Sequence, residues 1–141
     1  MALKISLKPG EKIVVNGAVI VNGDRRSTMI LQNRASLLRE KDILLAEDVD
    51  TPMKHIYFPI MLMYMDEKGF NKYHEQYVLR MTELLSVIED PAAKTMCVAI
   101  SKDVMDGEYY KALLKCKKMF EYENARLNYV PEGIPDNPEG K

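Results

Sequence analysis

Residues 3–43, LKISLKPGEKIVVNGAVIVNGDRRSTMILQNRASLLREKDI, alternate short β-branched runs with glycine turns. Leu3, Ile5 and Leu7 alternate with Lys4, Ser6 and Lys8, the period of two that marks a half-buried strand. Pro9-Gly10 makes a first turn, because Pro fixes φ and Gly accepts a conformation other residues avoid. The runs 13–15 and 18–21 are then each followed by Asn-Gly. Asn-Gly between β-branched runs is a strong hairpin signal, since a type I′ turn needs positive φ at both central residues. Residues 27–32 and 35–38 read as two more strands, parted by a turn at Asn33-Arg34. The expectation is a small, strongly twisted antiparallel β-sheet of about five strands. Such a sheet buries no sufficient core alone and must pack on something or pair with a copy.

Past this stretch the period changes. Residues 40–45 fit either a helical turn or the exit of the last strand, and 48–50 are an acidic linker. Thr51-Pro52 is a helix start, with Thr as N-cap and Pro at the first helical position. Residues 53–65 are almost wholly apolar, which predicts a helix buried on most sides, kinked or broken at Pro59. Phe70, Tyr73, Tyr77, Met81, Leu84 and Ile88 recur at helical spacing up to the stop at Asp90-Pro91. A third helix from Pro91 buries Met96, Cys97, Ile100 and Val104. After Asp106-Gly107 a fourth carries Tyr109, Leu113, Cys116, Phe120 and Leu127 on one face. Connections this short make neighbouring helices antiparallel. The fold class expected is α+β: a basic β domain over 1–48, a bundle of about four helices over 49–128, and a disordered tail over 129–141.

The chain of 141 residues has a net charge of −1. That balance hides an asymmetry. Residues 1–45 hold eight Lys and Arg against four acids, a net of +4, which leaves −5 for the remainder. A basic β half suggests an anionic partner. No window reaches the roughly 18–20 uninterrupted apolar residues of a membrane span, and residues 1–12 show no apolar leader core, so a cytoplasmic location is expected. Cys97 and Cys116 lack CxxC spacing and read as buried, reduced thiols.

Reactive groups are sparse. His55 and His74 are the only imidazoles. No cluster has the convergence that zinc or a Cys–His nucleophile needs. His55 fits a support at the junction of the two halves, and His74 a helix edge. Gly10, Gly17 and Gly23 are turn glycines, and none precedes a helix as a phosphate-binding loop requires. The run Met53, Met61, Met63 and Met65 reads as adaptable core, and Lys111, Lys115 and Lys118 as a solvated helix face. No catalysis, cofactor or metal is expected.

Strand-borne Lys and Arg suit single-stranded or looped RNA, with the phosphates supplying a sequence-independent attraction. The strands carry no aromatic residue, so no stacking platform on them is expected. Beyond this physical reading, LKPGEKIVVNGAVIVNGDRR, ILQNRASLLREKDI, TPMKHIYFP and AISKDVMDGEYYKAL strongly resemble the FlbT family of flagellum-biogenesis regulators, over roughly residues 1–128. The resemblance implies a bacterial cytoplasmic repressor that acts after transcription. It would associate with the 5′ untranslated region of flagellin mRNA and promote its degradation, with links to FlaF and to flagellin.

Residues 3–43 are also similar, more weakly, to the small CsrA RNA-binding regulators. The similarity lies in a strand leading into Lys8-Pro9-Gly10-Glu11 and in Leu37-Leu38-Arg39-Glu40 leading to Ile43. It implies that Lys4, Ser6 and Lys8 line one edge with Arg39 opposite, across a homodimer of the sheet. Two departures stand out: Leu7-Lys8 carries one charge where that family has a basic pair, and one extra residue precedes Ile43. The attached helices could also replace a second copy as packing partner.

The reading is therefore a post-transcriptional regulator that binds flagellin mRNA through its sheet. Arg39 is the first candidate, as a bidentate donor to phosphate or a guanine edge. Lys4, Lys8, Arg25, Arg26 and Arg34 would make phosphate contacts, and Ser6 would join them on the strand edge. The alternative is a protein-interaction module whose helical half binds flagellin or FlaF.

Overall fold

The computed structural model describes residues 2–128. Five strands come first: β1 (Leu3–Leu7), β2 (Lys12–Val15), β3 (Ala18–Val21), β4 (Ser27–Leu31) and β5 (Leu37–Arg39). Single 3-10 turns at Glu40–Asp42 and Ala46–Asp48 lead into α1 (Pro52–Met65), α2 (Phe70–Val87), α3 (Pro91–Met105) and α4 (Tyr109–Asn128). The α+β class is as expected. The tail expected over 129–141 lies outside the described residues.

The strands divide between two antiparallel sheets where one was expected. β1 pairs with β4, Leu3 opposite Leu31 and Leu7 opposite Ser27. The other sheet has the order β3-β2-β5. Asn16 and Gly17, at φ 50° and 84°, turn β2 back into β3, as a type I′ hairpin requires. Asn22-Gly23 makes no hairpin. Its flanking strands belong to different sheets, and the local signal was overridden by a side chain. The Asn22 Nδ2 donates to the carbonyls of Leu7 at 3.2 Å, Lys8 at 2.8 Å and Arg25 at 2.8 Å, while its Oδ1 accepts from Ser27 Oγ at 2.7 Å. One amide thus ties the end of β1 to the start of β4.

Alternation along β2 explains the layering. Val14 and Leu38 face the helices and belong to the same core as Met53, Ile56, Tyr57 and Ile60. Ile13 faces the other way, into a smaller cluster with Ile5 and Leu7 that Val15, Met29 and Leu37 flank. The β2–β5 pair is therefore covered on both faces, by the β1–β4 ribbon and by the helices. This is why residues 13–15 are continuously apolar.

Thr51 caps α1, its Oγ1 accepting the Lys54 N–H at 3.2 Å, and Pro52 opens the first turn. Pro59 does not break the helix, which runs on to Met65 with the His55 carbonyl deprived of its usual donor. Burial explains the tolerance. Met53, Ile56, Tyr57, Ile60, Met61 and Met63 are all within the core, each large apolar side chain contributing about 1.5–3 kcal/mol. α1 packs against both α2 and α4, and α3 lies on α4. Cys97 of α3 and Cys116 of α4 are free, buried thiols whose pKa values burial pushes up. Among the described residues no helix is long and apolar enough to cross a membrane.

The join between sheet and helices is polar as well as apolar. Asp42 is buried and ion-paired with Lys117 of α4, and the Tyr57 hydroxyl donates to the Asp42 carbonyl. Burial, and then the Asp42 charge, raise the Tyr57 pKa. Gly17 comes so close to α1 that a Cβ there would sit 2.8 Å from the Met65 carbonyl oxygen.

Candidate nucleic-acid interface

The register of β1 and β4 places Lys4 opposite Ile30 and Ser6 opposite Thr28. All four are exposed, while Ile5 and Leu7 point inward. One face of the ribbon is thus core and the other a solvated surface carrying Lys4 and Ser6, with Lys8 at its end. The Asn22 amide brings Arg25 to that same end, because it holds the carbonyls of Lys8 and Arg25 together. Arg26 follows directly before β4. Lys4, Ser6, Lys8, Arg25 and Arg26 therefore share the ribbon.

Arg39 is engaged within the chain. Its Nη2 donates to the Ser6 carbonyl at 2.6 Å and to Glu11 Oε2 at 2.9 Å. Glu11 also accepts the Lys8 N–H at 2.9 Å through Oε1. The Lys8 N–H, and then the Arg39 guanidinium, hold the Glu11 carboxyl below its ordinary value. Arg39 and Ser6 are brought together within the chain, through the Ser6 main-chain carbonyl. This geometry occupies donors that a bidentate RNA contact would need, and makes Arg39 a clamp between β5, β1 and the 8–11 turn. Glu11 is its unforeseen partner; a lone acid in a basic stretch was the available signal.

The other cations are differently placed. Among the described residues, Lys4, Lys8, Lys12, Arg25, Arg26 and Arg34 form no ion pair. Arg34 stands apart from the ribbon end. It lines a cavity of about 700 Å³ where the turn before β5 meets the α3–α4 connection, beside Asn16, Tyr64, Phe70, Tyr109 and Tyr110. The sequence reading missed these aromatic neighbours because they lie on helices. Tyr109 fits the buried spacing of α4, and Tyr110, one residue on, had to face elsewhere.

The remaining candidates separate by environment. His74 is half-buried and stacked on Phe70, ring centroids 5.6 Å apart. His55 lines two cavities of about 430 Å³ each, shared with Arg80, between α1, α2 and the residues before them. Lys115 is ion-paired with Asp103, and Lys111 lies 3.8 Å from Glu108, so that lysine face is partly tied down. Among the described residues no group of three His, Cys, Asp or Glu could hold a metal ion.

The family described as Flagellar protein FlbT matches residues 3–127. The flagellum biosynthesis repressor protein FlbT of Caulobacter vibrioides is 54% identical over 134 residues, 95% of this chain and 95% of that protein. A protein of Caulobacter sp. strain K31 named "Probable flagellum biosynthesis repressor protein FlbT" is 52% identical over 130 residues, 92% of this chain and 99% of its own. One of the same name from Rhodopseudomonas palustris strain TIE-1 is 35% identical over 128 residues, 91% and 99% of the two chains. No solved structure matches.

Proposed function

This chain belongs to the FlbT family, and from that membership we propose that it regulates flagellum biosynthesis by binding the 5′ untranslated region of flagellin mRNA. Binding would repress flagellin synthesis by blocking translation or handing the message to cellular nucleases, with no catalysis by the chain itself. The observation that carries the reading is the set of unpaired cations on the β part. Lys4, Arg25 and Arg26 share the ribbon with no ion-pair partner among the described residues, and Lys8 stands beside them within the field of Glu11. A cation left unpaired by its own fold keeps its full attraction for phosphate and releases counterions on binding. The test is a salt-titrated mobility shift of a flagellin leader. Replacing Arg25 and Arg26 by Gln should lower the slope of log affinity against log salt by about two. Binding that ignores salt would defeat the proposal.

A second reading has its own support. Leu79 and Val87 are exposed, and each lines one of the two cavities that His55 and Arg80 share. A protein partner, FlaF or flagellin, would seat an apolar face there. Leu79→Lys should then abolish its capture while leaving the RNA shift intact.

A further inference from the structure

We infer that the cavity beside Arg34 is a base pocket, in which a single unstacked nucleotide of the RNA is held against Tyr110 with its phosphate on Arg34. The inference rests on the RNA reading above and gives it a site away from the ribbon's exposed face. The volume, about 700 Å³, lies in the range of about 300–1,000 Å³ typical of small-ligand sites.

Its lining supplies what the strands lack. Tyr110 is 42% exposed, and its ring is backed by Tyr64 at 5.8 Å between centroids. Phe70 and Tyr109 pack at 6.2 Å on the same cavity. An aromatic ring held from behind and open in front is what base stacking needs, and stacking accepts any base. Sequence-tolerant stacking with a neighbouring Arg is the usual means of holding splayed single strands.

The polar groups are equally suggestive of a ligand. Asn16 accepts the Ser36 N–H through Oδ1 at 2.8 Å, and its Nδ2 has no partner among the described residues. The hydroxyls of Tyr109 and Tyr110 and the guanidinium of Arg34 are likewise without a hydrogen-bond partner there. Three kinds of donor therefore line one cavity unused: an amide, two phenols and a guanidinium. Tyr109 is half-buried, and burial raises its pKa, so it stays a neutral donor at physiological pH. A base offers acceptors along its edge and a phosphate accepts from Arg, which matches this set. The ribbon and the pocket lie at different places on the β part, so a strand bound to both would be gripped at separate points.

The test uses the full chain and a fluorescently labelled flagellin leader, followed by anisotropy across a salt titration. Tyr110→Ala should weaken binding on the order of tenfold with the salt slope unchanged, because stacking releases no counterions. Tyr110→Phe keeps the stacking ring and should lose less than Tyr110→Ala does, only what one hydroxyl hydrogen bond contributes. Arg34→Ala should reduce the slope by about one. An intact protein that binds while Tyr110→Ala and Arg34→Ala, both folded by circular dichroism, bind equally well would overturn the pocket and leave the ribbon reading standing. An intact protein that fails to bind the leader at low salt would overturn both.

Discussion

The Tyr64 hydroxyl accepts the Leu37 N–H at 2.9 Å and donates to the Leu37 carbonyl at 3.0 Å, so one side chain satisfies both main-chain groups of a strand residue. Leu37 lies in β5, an edge strand, and its outward groups are those a further strand would pair with. α1 thus closes the sheet with a phenol. Tyr64→Phe should lose about 1–3 kcal/mol in urea unfolding, because two part-buried groups are orphaned. It should also show concentration-dependent association by light scattering. A variant as stable and monodisperse as the parent would remove this role from Tyr64.

The buried pair Asp42–Lys117 spans the join between the strands and α4. Lys117→Met should cost about 3 kcal/mol, the low end for a broken buried pair, since about a third of the Lys117 side chain meets water. Adding Asp42→Asn should recover most of that loss. A double variant no better than the single one would mean the charge is not what matters.

Gly17 carries two constraints at once, a φ of 84° and a carbonyl oxygen of Met65 where a Cβ would be. Gly17→Ala is expected to cost at least about 2 kcal/mol. Gly23 has open space around it, and Gly23→Ala should stay within about 0.5 kcal/mol of the parent. Denaturant midpoints of the two variants, measured side by side, check the contrast.

The Glu11 carboxyl titrates lower in the fold than its ordinary value of 4.5, through the Lys8 N–H and the Arg39 guanidinium. Its contribution to stability is therefore present above the ordinary value and lost as pH falls through the lowered one. The urea midpoint should decline in that acid range, and Glu11→Gln should remove this part of the decline. An unchanged acid profile in Glu11→Gln would show that the clamp adds nothing to folding.

Much of this architecture is visible in the residues themselves. Thr51-Pro52, Asp90-Pro91 and Asp106-Gly107 mark helix boundaries by capping chemistry that acts within one turn, and the helices obey them. Asn16-Gly17 likewise dictates its hairpin locally. Asn22-Gly23 misleads because the carbonyls its amide finds belong to Leu7 and Lys8, far away in sequence. Pro59 does not end α1, because burial of the helix outweighs one missing hydrogen bond. Of the candidate site, the exposure of Lys4, Ser6 and Lys8 follows from their alternation with Leu and Ile. The engagement of Arg39 does not, since it depends on Glu11 arriving across a turn. The aromatic lining beside Arg34 is invisible for the same reason: three separate segments build it.

The pairing of β1 with β4 also sets an order of assembly. The β2–β3 hairpin lies within the loop that this pairing closes, and it can form from neighbours in sequence while β1 waits for β4. The face of β2 and β5 bearing Val14 and Leu38 waits longer, because the helices that cover it are made last. A nascent chain that has emerged only as far as the strands therefore leaves the Val14 and Leu38 face uncovered until α1 follows. Emergence of α1 through Met65 is the step at which the strands gain that cover, and a chain cut short before it is expected to be drawn towards other chains.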